Sequence, residues 1–295
     1  MDTVVEEADV TVDHRIEPEG GAGRDPASDP PVERRGGVGR TVAERSRALL
    51  GVGGFVLLFG AWQLAASTGL VNPLFTSSPL GVLAAAADYL PTAQFAEDLA
   101  VSAAGLFGGL GLAIAVGLTV GLLMGWYDWL FQLLDPLTSF LYSLPRIAFI
   151  PLFIIWFGIG VSSKVALIFV MAVFPIIINT TTGVRSVDRD LLDMARSFTA
   201  TGLGLFRTVV LPSATPSILA GIRVAVGLGL IGVAVGELFS SRAGIGHMIA
   251  QSSAAFQTDR VFLGTIILGL FGIAFSQLLR LLERRAERWR PSLRG

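Results

Sequence analysis

Long apolar stretches alternate with short polar ones along most of this chain, and the apolar stretches have the length of membrane-spanning helices. A helix that crosses the hydrocarbon layer needs roughly 20 apolar residues. Six segments reach about that length: 48–69, 99–124, 133–157, 163–182, 217–239 and 261–282. The pattern predicts an all-α integral membrane protein with about six transmembrane helices.

The third apolar segment differs from the others because prolines interrupt it. Pro136, Pro145 and Pro151 fall inside the segment, and Arg146 follows the second of them. Proline removes a backbone donor and kinks a helix, and membrane helices tolerate this where neighbouring groups satisfy the freed carbonyls. We therefore predict a kinked span at 133–157.

The two ends of the chain are polar, which divides the sequence into four parts. Residues 1–47 mix acidic residues, arginine, proline and glycine without apolar periodicity, a composition typical of disorder. We predict a disordered tail at 1–47, a first transmembrane helix with an external loop at 48–94, the main transmembrane domain at 95–283, and a basic tail at 284–295.

Basic residues are unevenly placed along the sequence. Of the 22, seven precede residue 48, four lie between the fourth and fifth apolar segments, and six follow Leu279, whereas the 70–98 connection has none. Lysine and arginine are enriched in cytoplasmic loops of membrane proteins. The distribution predicts a multi-pass protein of the cell membrane whose termini and 183–215 connection are cytoplasmic.

Small residues recur at every fourth position of the second apolar segment. They are Gly105, Gly109, Ala113, Gly117, Gly121 and Gly125. Such a ridge lets a second helix approach closely. We favour this packing role over a pore-lining role.

Composition removes several kinds of chemistry. The chain has no cysteine and two histidines, which excludes thiol chemistry and disulfides and argues against a histidine metal site. Its single lysine, Lys164, lies between Ser163 and Val165, so the Gly-Lys-Ser/Thr of a P-loop is missing. We predict that this chain is not an enzyme, and that any ATP hydrolysis coupled to it occurs on a separate polypeptide.

The connection at 188–212 is longer and more patterned than a reversal of direction requires. Its apolar residues share one side of a predicted helix, with Asp190, Asp193 and Arg196 largely on another. The apolar set is Leu191, Met194, Ala195 and Phe198. This amphipathic pattern predicts a docking surface for a soluble partner, and the alternative is a helix lying on the bilayer surface.

The same connection resembles a motif of permease subunits of binding-protein-dependent ABC importers. That motif reads Glu-Ala-Ala, three residues, Gly, nine residues, Ile, one residue, Leu-Pro. The matching residues here are Asp193-Met194-Ala195, Thr199, Val209 and Leu211-Pro212. Over about 50–282 the chain is also similar to the nitrate/sulfonate/taurine subgroup, at Asp135–Pro145, Pro151–Gly158, Leu211–Arg223 and Gly236–Leu238.

The resemblance implies a type I importer permease fold and a defined set of partners. We expect two ATPase subunits, an extracytoplasmic solute-binding protein, a second permease copy that completes a homodimer, and membrane lipid, with no nucleic acid. No cofactor or metal would bind this chain, since ATP and Mg would bind the ATPase. The implied solute is a small anion such as a sulfonate, taurine or nitrate.

The resemblance also assigns residues to the ATPase-coupling loop. They are Leu191, Asp193, Met194, Ala195, Arg196, Phe198, Thr199, Leu211 and Pro212. Two of them depart from the motif, because Met194 replaces an alanine and Thr199 replaces a glycine that permits positive φ. Since threonine is poorly suited to positive φ, we expect either a turn with negative φ at Thr199 or a reversal at Gly202.

Two ionisable residues inside apolar segments are candidates for the translocation path, Arg146 and Glu237. An ionisable group at membrane depth faces a cavity or a partner. For Glu237 we favour a structural role, as a hydrogen-bond acceptor or as the partner of Arg242. Arg146 and Arg223 offer positive charge to an anion, or extend to the membrane interface.

Two other functions fit parts of the pattern. A self-contained secondary transporter or channel would need polar or ion-coupling groups inside the spans, which hold few besides Glu237. A membrane scaffold that docks soluble proteins would need only the amphipathic connection. We favour the importer permease over both.

Overall fold

The computed structural model describes residues 37–68 and 75–287, and within these ranges the regular elements are helices. The chain divides into two units, Met1–Phe55 and Val56–Gly295. The helices are α1 (Gly37–Ser67), α2 (Pro79–Tyr89), α3 (Ala93–Trp126), α4 (Asp128–Ser143), α5 (Ile150–Phe157), α6 (Val161–Arg185), α7 (Arg189–Ser197), α8 (Gly202–Leu205), α9 (Leu211–Ser240), α10 (Ile245–Ala254) and α11 (Thr258–Glu287). A 3₁₀ turn, Arg146–Phe149, precedes α5, and a π-helical segment, Phe206–Val210, joins α8 to α9. The predicted fold class is confirmed.

The predicted spans appear with different degrees of regularity. Among the described residues, four helices are long and apolar enough to cross a membrane: Ala93–Trp126, Val161–Arg185, Gly202–Ser240 and Thr258–Leu278. The first predicted span lies within α1, whose described apolar part, Gly53–Ser67, is shorter than the roughly 20 residues of a full crossing.

The third predicted span is not one kinked helix but two helices at a sharp angle. Asp128–Ser143 and Arg146–Phe157 meet at 85°. The break falls at Leu144, which has an extended backbone with ψ 145°. The cause is Pro145, since the residue before a proline is pushed away from the helical region.

Helices extend into both predicted tails. α1 begins at Gly37, before residue 48, and α11 continues to Glu287, beyond residue 283. Arginine, glutamate and alanine, which are frequent in these stretches, have high helix propensity. The rest of the predicted tails, at 1–36 and 288–295, lies outside the described residues.

The core of the second unit, Val56–Gly295, is formed where α6 packs between α3 and α9. Ala172, Ile176 and Thr180 follow one face of α6 and are fully buried. They meet buried residues of both neighbours, including Ala113 of α3 and Ala225 of α9. Because α6 has a helix on each side, it is the most deeply buried of the long apolar helices described.

The small-residue ridge of α3 is the surface that α6 contacts. A Cβ on Gly109 would lie 2.6 Å from Ile168 Cβ, and one on Gly117 would lie 2.9 Å from Ile176 Cβ. Real Cβ atoms essentially never lie less than 3.0 Å from such a neighbouring atom. The packing role predicted for the ridge is therefore confirmed.

Short helices close the two ends of the bundle. α2 and α10 lie where α3 begins and α9 ends, and we call this end the α10 side. Ser78 caps α2 by accepting from the Gly81 N–H at 2.9 Å, and Ser77 donates to Asp259 of α11 at 2.6 Å. The opposite end carries α7 and α8, and we call it the α7 side.

The ridge contact predicts that alanine at two nearby glycines has opposite consequences. Gly109→Ala forces a Cβ into Ile168 and should lower the free energy of unfolding by about 1–3 kcal/mol. Gly111 has open space around its Cα, so Gly111→Ala should be neutral or gain up to about 1 kcal/mol from helix propensity. Thermal unfolding of both purified variants in detergent measures the difference, and equal melting temperatures would contradict the packing assignment.

Candidate functional site

The connection between α6 and α9 contains a short helix with well-defined ends. The Asp188 carboxylate accepts from the Asp190 N–H at 2.9 Å and so caps the first turn of α7. Asp190 in the first turn and Arg196 in the last both complement the helix dipole. Arg196 also donates to Asp193 at 2.9 Å, and both side chains are largely exposed. The helical conformation of α7 is therefore stabilised by residues within the segment itself.

The apolar residues predicted for docking divide between two sides of α7. Leu191, Met194 and Phe198 are exposed, at 36%, 55% and 79%, and we call these three the α7 face. Ala195 is buried, with only 8% of its surface exposed, and Leu192 packs against the main core. Ala195 follows Leu192 by three residues and lies on the same side of α7, so this side attaches the helix to its own chain. A bulky residue at Ala195 would disturb this packing directly.

The turn after α7 contains a threonine in the left-handed region. Thr199 has φ 65°, and the Ala200 N–H bonds the Ala195 carbonyl at 3.1 Å, as in a Schellman helix end. The expectation of negative φ at Thr199 is wrong. Gly202 also has positive φ, 52°, so the reversal uses both positions. Thr199 keeps the motif geometry at a cost of about 1–2 kcal/mol.

The rest of the motif leads without a break into α9. The π-helical segment widens the turn before Pro212, whose ring would otherwise meet the carbonyl four residues earlier. Leu211 is half-buried against the core, and Pro212 is exposed in the first turn of α9. Phe206 stacks edge-on with Trp126 at the end of α3, with ring centroids 5.1 Å apart. The connection therefore contacts α3 and continues as α9.

A buried ion pair joins two of the long helices at the α10 side. Lys164 Nζ of α6 lies 3.2 Å from Glu237 Oε1 of α9, and the two side chains are 1% and 0% exposed. Glu237 also accepts from Ser102 of α3 at 2.9 Å and from the Gly246 N–H at 2.8 Å. Both carboxylate oxygens of Glu237 therefore accept hydrogen bonds, from donors on α3, α6 and α10.

The same network caps α10 with side chains from other helices. The N–H groups of Gly244, Ile245 and Gly246 donate in turn to Asp98 Oδ1 (2.6 Å), Ser102 Oγ (2.9 Å) and Glu237 Oε2 (2.8 Å). The first N–H groups of a helix have no intrahelical partner and favour negative charge. We call Asp98, Ser102, Lys164 and Glu237, with these N–H groups, the buried ion cluster.

Tyr89 of α2 extends the buried ion cluster through a hydrogen bond to Asp98. Its hydroxyl donates to Asp98 Oδ2 at 2.6 Å. Burial raises the pKa of Tyr89 and the adjacent Asp98 carboxylate raises it further. The phenol therefore stays protonated over the whole ordinary pH range and remains a donor.

Sequence reasoning identified one member of this cluster and missed its partner. Glu237 is a hydrogen-bond acceptor, as favoured, but its cationic partner is Lys164, whereas Arg242 is exposed. The sequence did contain a signal for this pair. A lone lysine in one apolar span and a lone carboxylate in another each need compensation at membrane depth, so pairing them would have been the economical inference.

Arg146 lies at the bend between α4 and α5. Its guanidinium donates to the Met171 carbonyl at 3.3 Å and lies over the Tyr142 ring, 4.7 Å from the centroid. Met171 precedes Pro175 by four residues, so its carbonyl has lost its helical partner. Arg146 supplies the donor that Pro175 cannot. Among the described residues, no group of three His, Asp or Glu side chains could hold a metal.

The fold and this connection define a class of protein, the membrane permeases of solute importers. Residues 99–288 match the family described as the binding-protein-dependent transport system inner membrane component, and the chain belongs to that family. It is a multi-pass membrane protein and a non-catalytic permease subunit of an ABC importer. The predicted family and function are confirmed, in preference to a secondary transporter, channel or scaffold.

Named relatives cover most of the chain. A putative aliphatic sulfonates transport permease of Escherichia coli (strain K12) is 37% identical over 235 residues, covering 80% of this chain and 89% of the relative. Its counterpart in Bacillus subtilis (strain 168) is 34% identical over 239 residues, covering 81% and 87%. A crystal structure of an amino acid ABC transporter shares the fold, with a TM-score of 0.54 at 19% identity, covering 68% and 97%.

The buried ion cluster predicts a large and non-additive response to mutation. Lys164→Met or Glu237→Gln alone leaves an uncompensated buried group and should cost about 3–5 kcal/mol of stability, while the double variant should recover a substantial part. The exposed pair offers a control, since Asp193→Asn and Arg196→Gln should each cost less than about 1 kcal/mol. A double-mutant cycle from unfolding in detergent measures both, and additive effects at Lys164 and Glu237 would contradict the cluster.

The left-handed turn predicts that Thr199→Gly stabilises the protein. Glycine relieves the positive-φ strain and should raise the free energy of unfolding by about 1 kcal/mol. Gly202→Ala introduces the same strain at the second position and should lower it by a similar amount. Melting temperatures of the two variants test this, and a loss of stability in Thr199→Gly would argue against the observed turn.

Proposed function

We propose that this chain imports a small organic or inorganic anion by ATP-driven alternating access, with the α7 side in the cytoplasm. The arginines of 183–215 and of both chain ends support this orientation. Residues 1–47 and 284–295 are then cytoplasmic tails, 48–94 holds the first crossing and external loop, and 95–283 is the transporting domain. The α10 side receives solute from the extracytoplasmic binding protein.

The observation that carries the proposal is the exposed α7 face on a helix that is otherwise attached to its own chain. Leu191, Met194 and Phe198 face outward while Ala195 is buried. This arrangement suits a helix that inserts apolar side chains into a partner and transmits the partner's motion. The partner is an ABC ATPase subunit, which binds ATP and Mg, and Asp193 with Arg196 supplies polar contacts.

Motion of α7 has two direct routes into the membrane domain. One is the helix that begins at Gly202, after the turn, and continues through Leu211 and Pro212 into α9, and the other is the Phe206–Trp126 contact with α3. Two permease copies, each docked to one ATPase subunit, form the assembly as a homodimer. ATP-driven closure of the ATPases brings the α7 helices together, and hydrolysis resets them.

The proposed solute is a sulfonate-class anion such as taurine, with nitrate as a smaller relative. The support is the name of the two relatives, which are described as aliphatic sulfonate permeases. Of the two path candidates, Glu237 is enclosed in the buried ion cluster, so we assign it a positioning role. Arg146 is half-buried at the bend and is the path residue we retain.

The docking proposal predicts loss of ATPase association from single changes on the α7 face. Met194→Glu or Phe198→Glu places a carboxylate where an apolar side chain would be buried, worth about 1.5–3 kcal/mol or roughly 10–100-fold in affinity. Because both residues are exposed, the melting temperature of the free chain should not change. The measurement is the ATPase retained per permease after copurification, together with ATP-driven uptake.

A matched control lies on the other side of the same helix. Arg189 is exposed, and Arg189→Glu also adds a carboxylate, near a helix N-terminus that favours it. It should retain the ATPase. If Met194→Glu and Phe198→Glu retain it equally well, α7 does not dock the ATPase, and a helix lying on the bilayer surface would explain its exposed face.

A further inference from the structure

One face of α4 is polar although the helix belongs to a membrane domain. Polar residues recur at spacings of three and four, which places them on one side of a helix. Four of them are exposed and the carboxylate is half-exposed. They are Gln132, Asp135, Ser139, Tyr142 and Ser143, and we call this set the polar face of α4.

The other sides of α4 have ordinary surroundings for a membrane helix. Leu130, Phe131 and Leu134 pack against the main core. A third side is apolar and exposed, including Leu133 at 63% and Phe140 at 61%, which suits contact with lipid. The polar face is therefore distinct from both the packed side and the lipid-like side.

An exposed polar face is unfavourable against hydrocarbon. Polar side chains at membrane depth face the interior of the assembly or a water-filled cavity. Since the polar face of α4 is not covered by the described part of its own chain, the structure leaves it open to water or to the second copy.

Arg146 continues the polar face beyond the bend. Its guanidinium lies over the Tyr142 ring, 4.7 Å from the centroid, and this contact across the 85° bend joins it to the polar face. Its other contact, the Met171 carbonyl, lies near the middle of α6 (Val161–Arg185). Because α6 is about 37 Å long at 1.5 Å per residue, the guanidinium is close to the middle of the membrane.

The chemistry at this position suits an oxyanion. A guanidinium has five N–H donors and matches the geometry of carboxylate and phosphate oxygens, and a sulfonate offers the same kind of acceptors. Neither the Met171 carbonyl nor the Tyr142 ring neutralises its charge. Asp135 lies on the other side of the 85° bend, and among the described residues no ion pair joins Arg146 to a carboxylate, so the favourable position for an anion is the Arg146 end.

We propose that the polar face of α4 lines the solute path and that Arg146 binds the anionic group of the solute near the middle of the membrane. This inference rests on the proposed function and deepens it by naming the surface and the group that contact a sulfonate. The hydroxyls of Ser139, Tyr142 and Ser143 line the water-filled path beside Arg146.

The absence of cysteine from the chain permits a direct test. Single cysteines at Ser139 and Ser143 report on the polar face, and cysteines at Leu137 and Phe140 report on the apolar face of the same helix. The full complex in proteoliposomes is treated with the anionic reagent sulfonatoethyl methanethiosulfonate or a cationic trimethylammonium analogue. An apolar environment raises a thiol pKa and suppresses the reactive thiolate.

The polar-face cysteines should react at least about tenfold faster than the apolar-face cysteines, the equivalent of one unit of thiol pKa. Taurine should slow the reaction at Ser143→Cys. The preference of Ser143→Cys for the anionic over the cationic reagent should fall about tenfold in Arg146→Gln and persist in Arg146→Lys.

Each contrary result overturns a defined part of the proposal. Equal reactivity on the two faces would show that the polar face of α4 does not line a water-filled path. Fast reaction at Ser143→Cys with a charge preference independent of Arg146 would overturn the anion site. Loss of ATPase copurification or of uptake in the unmodified chain would instead contradict the proposed function. The reactivity ratio compares two faces of α4 and uses neither of these two measurements.

Discussion

The Lys164–Glu237 ion pair is the interaction on which the α10 side of the bundle depends. Two opposite charges are removed from water at a point where α3, α6, α9 and α10 meet. Such a pair is stable only if its remaining hydrogen-bonding capacity is met, and here Ser102, Ser241 and the Gly246 N–H meet it. The position of each helix at this end is therefore fixed by the others.

α9 connects this cluster to the opposite end of the membrane domain. It carries Glu237 near its last turn and continues backwards through the π-helical segment to the turn that follows α7. α6, packed along the α3 ridge, carries Lys164 near its start and leads into α7 at its end. The two long helices on either side of the α7 connection are thus the two that share the buried charge, so a displacement of α7 acts on a pair joined at the far end.

The sequence predicted the class of fold and the amphipathic helix at α7 because both depend on local pattern. Apolar length identified the spans, and the motif spacing identified 193–212. It did not reveal that Ala195 is buried, because that depends on how closely the Leu192 side of α7 approaches the core. The 85° bend and the pairing of Lys164 with Glu237 arise from contacts between distant segments, although Pro145 and the lone lysine were visible signals.

The most direct test of this account is a pair of structures of the complete complex, with and without ATP bound to the ATPase. The central claim is that the buried ion cluster keeps its contacts while the α7 side moves. We expect the Lys164–Glu237 contact, 3.2 Å here, to be preserved in both states while the two α7 helices change their separation. A cluster that separates in one state, or α7 helices that stay in place, would contradict the claim.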